Sequence, residues 1–157
     1  MIKKVVIGAD PSGFALKEAV KAHLIEKGYE VTDLGTLNKE EPVMFWVAGQ
    51  RVGKAVSTGE FERGLIFCGS GMGIHIAAGK FPHVHCALCE SLETARRSRV
   101  ANNCNILAMG GFYTAPQLGC MMADAFLETE FCQDEDQAFY DLHLDGYEGI
   151  ENYDYNI

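Results

Sequence analysis

Five short strand-like runs, each followed by a turn and then by a stretch of helical periodicity, leave this chain few ways to fold. The runs are Lys4–Gly8, Glu30–Leu34, Gly64–Phe67, His85–Leu88 and Ile106–Met109. The stretches between and after them are Gly13–Lys27, Phe45–Ser57, Gly71–Lys80, Ser91–Arg99 and Pro116–Thr129. In the last of these, Leu118, Met121, Met122, Ala125 and Phe126 recur at helical spacing, and Pro116 suits the first turn. Ser91 is a candidate helix cap with Thr94 three residues on. Wholly apolar strands alternating with helices predict an α/β fold, a mostly parallel sheet covered on both faces. No internal repeat, low-complexity segment or linker interrupts the pattern.

The 157 residues suffice for one domain burying roughly two-thirds of its unfolded surface. No apolar run reaches the roughly 18 residues of a membrane span. The opening Met1–Asp10 is too short in its apolar part to be an export signal, and Asp10 interrupts it. A cytoplasmic protein is therefore expected, with Cys68, Cys86, Cys89, Cys104, Cys120 and Cys132 as thiols. The net charge of −9 disfavours a nucleic-acid partner. Its distribution says more. All 13 basic residues lie at or before Arg99, while 11 of the 22 acids lie beyond it. The C-terminal third cannot supply a cation to an anionic ligand. That tail, from Gln133, is acidic and rich in aromatics (Phe139, Tyr140, Tyr147, Tyr153, Tyr155), a composition expected to pack on something.

In open α/β sheets ligands bind beyond the carboxyl ends of the strands. The segment that stands out there is Cys68-Gly69-Ser70-Gly71-Met72-Gly73, between a buried strand and a helix start. Its glycines let the backbone turn sharply and aim N–H groups at one point, where they could hold a developing oxyanion. A thiol beside a helix N-terminus is well placed for reactivity. Ser70 adds a hydroxyl. The plainer alternative is a tight turn with a small buried Cys68. Asp10 ends the first strand and could cap the next helix or bind a sugar hydroxyl. Asn102, Asn103 and Asn105 suit a turn before the fifth strand.

Two other patterns are weaker. His83-Val84-His85-Cys86-Ala87-Leu88-Cys89 resembles a metal cluster, but Cys86 and Cys89 in a strand point to opposite faces, so no metal is expected. Gly69-x-Gly71-x-Gly73 departs from the G-x-G-x-x-G of a dinucleotide loop, and it does not follow the first strand.

Taken together, Ile7–Phe14, Leu16-Lys17, Gly28–Thr36, Ile66–Gly73, Ala77–Lys80 and Asn105–Gly111 resemble the type B ribose-5-phosphate isomerases and the LacA/LacB galactose-6-phosphate isomerase subunits. The resemblance covers roughly residues 3 to 131. It implies a Rossmann-like three-layer αβα sandwich with a five-stranded parallel sheet. It also implies a cofactor-free aldose–ketose isomerase of a small sugar phosphate, of the ribose-5-phosphate/ribulose-5-phosphate type, whose active sites are shared between two subunits of a homodimer or homotetramer. In that light residues 1–131 form the isomerase domain, and 132–157 an extension packing on the domain or on a partner subunit. Cys68 would be the base moving a proton between C1 and C2 through an enediol, and Ser70 would steady the enediolate. Asp10, Asn102 and the loop residues Gly69, Gly71, Met72 and Gly73 would contact the sugar.

The departures from the family are specific. Pro11 stands where the family has His, Ala101 where it has the ring-opening His, and Gly79 where it has Asn. Phe45 falls near a family Tyr, and the C-terminal arginines that grip phosphate are absent. Four explanations follow. The phosphate grip could be rebuilt from His75, Lys80, Arg96, Arg97 or Arg99. The sugar could be unphosphorylated or already open-chain. The chain could be a LacB-like subunit needing a LacA-like partner. Or it could bind a sugar without turning it over.

Overall fold

In a computed structural model, which describes residues 3–154, each strand splits its side chains by parity between two helical layers. The strands are β1 (Lys3–Ala9), β2 (Tyr29–Asp33), β3 (Gly64–Cys68), β4 (Cys86–Leu88) and β5 (Ile106–Gly110). The helices are α1 (Phe14–Glu26), α2 (Phe45–Ser57), α3 (Met72–Ala78), α4 (Leu92–Asn102), α5 (Pro116–Glu128) and α6 (Gln137–Glu151). Val5, Ile7, Leu65, Phe67, Leu107 and Met109 pack with Leu16, Val20, Ala95, Met122 and Phe126 of α1, α4 and α5. Val6, Ile66, Cys68, Ile106 and Ala108 pack with Ala48, Val52, Ile74 and Ala78 of α2 and α3. Successive strand side chains point to opposite faces. A strand covered on both sides must therefore be apolar throughout, which is why β3 and β5 read as unbroken apolar runs.

The expected three-layer sandwich is present, and all five strands are parallel. Their order, β2-β1-β3-β5-β4, was not legible from the chain. β5 enters between β3 and β4, so the last two strands exchange places. Local signals hold well. Ser91 and Thr94 form a reciprocal capping box at the start of α4, and Pro116 is the first residue of α5.

The tail carries a helix that the sequence reading did not specify. Asp136 caps α6 by accepting from the Phe139 N–H at 2.9 Å. The helix lies against its own chain. Arg97 pairs with Glu135 at 2.5 Å and sits 4.9 Å over the Phe139 ring. At the far end, the Glu151 carboxylate receives His83 Nδ1 at 2.6 Å and His85 Nε2, while the Tyr147 ring lies tilted against His85, centroids 4.9 Å apart. Tyr155 lies outside the described residues. Among the described residues no helix is long and apolar enough to cross a membrane.

Candidate active site

β1 and β3 run side by side, with Ala9 opposite Phe67, so the next residues along, Asp10 and Cys68, sit abreast at the sheet's carboxyl rim. Neighbouring strands lie about 4.8 Å apart. The Asp10 N–H donates to the Phe67 carbonyl at 3.2 Å. Cys68 is the final residue of β3 and is buried. Its side chain belongs to the α2/α3 layer, with Phe45, Leu34, Val43 and Leu88 packed around the same cluster.

The loop after Cys68 is fixed from both sides. The Gly71 N–H donates to Cys68 Sγ at 3.1 Å, and the Met72 N–H donates to Ser70 Oγ at 3.3 Å. The loop thus spends two of its N–H groups on its own side chains. Gly71 itself has φ of +79°, a conformation that glycine adopts without strain, and from it the chain enters α3. From the turn after β5, the Gly111 N–H donates to the Cys68 carbonyl at 2.8 Å and the Phe112 N–H to the Gly69 carbonyl at 2.9 Å. Two aromatic rings bracket the loop. A Cβ placed on Gly69 would lie 2.5 Å from the Phe112 ring, and one on Gly73 would lie 2.6 Å from the Phe45 ring. Sequence reasoning missed Phe112. The only cue was its place directly after Gly110-Gly111 at a strand end.

Asp10 resolves as a loop clasp. Its Oδ1 accepts from the Gly13 N–H at 2.9 Å, which orients the turn into α1. Oδ2 takes no hydrogen bond among the described residues. Ser70 and Met72 lie on the open side of the loop, with Met72 half exposed.

The remaining candidates are not brought to this rim within one chain. Asn102 ends α4 and is therefore at the amino rim of the sheet, opposite Cys68. His75 sits one turn into α3, and its Nε2 meets the Cys86 carbonyl at 3.0 Å. Lys80 follows the C-terminus of α3, also at the amino rim. Arg96 lies 3.6 Å from Asp134, and Arg97 is taken by Glu135. Arg99 is buried and holds α4 to its neighbours, donating from Nε to the Thr129 carbonyl at 3.2 Å and from Nη1 to the Cys104 carbonyl at 2.5 Å. Burial, and Arg63 nearby, pull its guanidinium down to about 10. A cavity of about 590 Å³ opens at the amino rim, lined in part by Lys80, His83, His85 and Glu151. It is apart from the Cys68 loop. The contacts of His83 and His85 with Glu151 turn these groups into an attachment for α6. Among the described residues no group of three or more His, Cys, Asp or Glu side chains is arranged to hold a metal ion.

Comparison with known proteins agrees with this geometry. The chain matches the family described as Ribose/Galactose Isomerase over residues 5–141. It is 51% identical over 130 residues to a 4-deoxy-4-sulfo-D-erythrose isomerase of Clostridium sp. (strain MSTE9), covering 83% of this chain and 82% of that one. It is 39% identical over 130 residues to ribose-5-phosphate isomerase B of Escherichia coli (strain K12), covering 83% and 87%. A solved structure of ribose-5-phosphate isomerase B from Clostridium thermocellum superposes with a TM-score of 0.84 at 36% identity, covering 94% and 95%. A buried strand ending in a cysteine, a glycine loop folded onto the thiol and the match across nearly the whole domain lead to one conclusion: the chain belongs to the ribose/galactose isomerase family and is an aldose–ketose isomerase.

Proposed function

We propose that the substrate is a four-carbon aldose bearing a terminal sulfonate, of the 4-deoxy-4-sulfo-D-erythrose type, and that Cys68 is the base. The observation that carries this reading is the 51% identity to the isomerase of that sugar. The chemistry of such a sugar also accounts for the residues this chain lacks. With sulfonate in place of the C4 hydroxyl, no hydroxyl is positioned to close a five- or six-membered ring. The aldehyde is already open, and a ring-opening histidine has nothing to do, in keeping with Ala101. A sulfonate carries a single charge where a phosphate monoester carries about −1.5 to −2, so it asks less of surrounding cations.

In this reading the Cys68 thiolate takes the proton from C2 of the aldose, and the electrons move to the carbonyl to give an enediolate. The O2 hydroxyl proton passes to O1, the same thiol returns its proton to C1, and the ketose forms with no oxidant or reductant consumed. The Gly71 N–H stabilises the sulfur while it is charged. The Ser70 hydroxyl and the free N–H groups of the loop hold the enediolate oxygens. Asn102, at the far rim of its own sheet, reaches a substrate only from a second copy of the chain. The reading therefore includes a homodimer with shared sites.

The test is NMR in deuterium oxide with 4-deoxy-4-sulfo-D-erythrose, D-erythrose 4-phosphate and D-ribose 5-phosphate. Isomerisation of the sulfonated sugar with the highest kcat/KM, and its loss in Cys68→Ala with the fold intact, is expected. Preferred turnover of ribose 5-phosphate overturns the substrate assignment. Full-rate deuterium exchange by Cys68→Ala overturns the role of Cys68.

A further inference from the structure

We propose that Phe112 is a specificity-determining residue, a rigid wall that closes the pocket against sugars longer than four carbons. The proposal rests on the reading of a short substrate given above.

Three observations place it. First, the ring lies on the reactive loop: a single added carbon at Gly69 would meet Phe112 Cε2 at 2.5 Å and Cζ at 2.9 Å. Second, the residue is held by its backbone. Its N–H is bonded to the Gly69 carbonyl at 2.9 Å, and its neighbours Gly111 and Tyr113 are bonded at 2.8 and 3.2 Å to the carbonyls of Cys68 and Gly110. Third, although its backbone is fixed there, the residue is 70% exposed in the chain and takes no part in either core cluster. Packing in the core therefore does not account for the ring. A large apolar side chain, anchored by main-chain bonds beside the base and open to solvent on its other face, borders whatever the base acts on.

At the other end of the loop Phe45 does the same over Gly73. Phe45, however, is tied into the α2/α3 core, so its truncation would disturb the fold. Phe112 is the separable wall. With C1 and C2 held at Cys68, the remaining carbons and the terminal anion must fit in the space the two rings leave. A longer chain brings a hydrated, charged group against the Phe112 face, which offers no hydrogen bond to replace lost water.

The experiment is kcat/KM for wild type, Phe112→Leu and Phe112→Ala on four-, five- and six-carbon aldoses ending in sulfonate or phosphate. Thermal melts establish that each variant is folded. In Phe112→Ala the five-carbon to four-carbon ratio is expected to rise at least tenfold, with Phe112→Leu between, as one or two methylene-sized changes in a pocket produce. If wild type prefers four carbons and the ratio stays within threefold, the wall is refuted while the substrate reading stands. If all substrates fall together in both variants, Phe112 only props the loop and the inference is refuted. If wild type prefers a five- or six-carbon sugar, or acts on none, both fall.

Discussion

Gly13→Ala offers a sharp test of how the site is held in place. Gly13 has φ of −91°, so alanine suffers no backbone strain there. Space is the obstacle. The new methyl would stand 2.4 Å from the Phe67 carbonyl carbon, 2.6 Å from its oxygen and 2.7 Å from the Cys68 nitrogen. Carbon contacts normally settle at about 3.5–4.0 Å, so the turn into α1 must retreat from the end of β3 by roughly 1 Å. These neighbours are main-chain atoms of a fully buried central strand and cannot swing aside. Overpacking costs about 1–3 kcal/mol, and the rigid neighbours place this case at about 3. For a chain of this size that is a fall in Tm of roughly 6–12 °C. The retreat also loosens the Asp10 clasp and the backbone beside Cys68, and a misplacement of ~1 Å near the chemistry costs about 10²-fold in rate. The counterpart is Gly146→Ala, inside α6, where an added methyl meets nothing within 4 Å. The same substitution there should stabilise the helix by about 0.5–1 kcal/mol. Urea titrations followed by circular dichroism give both numbers, and isomerase assays give kcat. A Gly13→Ala protein within about 0.5 kcal/mol of wild type and with undiminished kcat would refute the argument.

Lys17 is wholly buried, with Nζ 2.5 Å from Asp33 Oδ2, 2.8 Å from Glu18 and 2.5 Å from the Thr36 carbonyl. Lys17→Met should cost about 3 kcal/mol in the same titrations, the low end for a broken buried pair, since Asp33 keeps Lys21 at 3.0 Å. Burial pushes the Glu151 carboxyl up, but the bonds from His83 and His85 outweigh it and hold it below its ordinary range. A depressed carboxylate stabilises above its unfolded pKa, and that contribution fades as pH falls through the folded value. The protection factors of α6 amides, corrected for the intrinsic exchange rate, should therefore fall in acid before those of β3, and should be low at neutral pH in Glu151→Gln. Burial raises the Cys104 thiol to about 11 and the Cys86 thiol further. Both should resist iodoacetamide at pH 8 in the native protein, as read by mass spectrometry, and react on unfolding.

What the sequence discloses and what it withholds divide along a physical line. Burial of β3 and β5 on both faces leaves an unbroken apolar run, and the Ser91–Thr94 cap and Pro116 act within one turn of helix. Such signals are local, and a reader of the chain can find them. Cys68 was visible because its glycines are adjacent to it. Phe112 was not, because it reaches Gly69 only through strand order, and nothing in residues 106–112 announces which strand β5 will join. The cations show the same limit. Arg99 and His75 look available in the sequence, yet Arg99 is committed to the carbonyls of Thr129 and Cys104 and His75 to that of Cys86. α6 was obscured by its glycines at 146 and 149 and by its acidity, and what ties it down is distant in sequence: Arg97, His83 and His85.

The insertion of β5 between β3 and β4 has a consequence for how the protein is made. β4 pairs with β5 alone, so while the ribosome has released only the first hundred residues, β4 has no strand to bind. β3 meanwhile offers an open edge where β5 will later sit. During that interval an apolar edge is exposed to other chains, the situation in which nascent proteins aggregate or recruit chaperones. The carbonyls of Cys68 and Gly69 wait for the N–H groups of Gly111 and Phe112, so the Cys68–Gly73 loop is among the last parts of the molecule to be set.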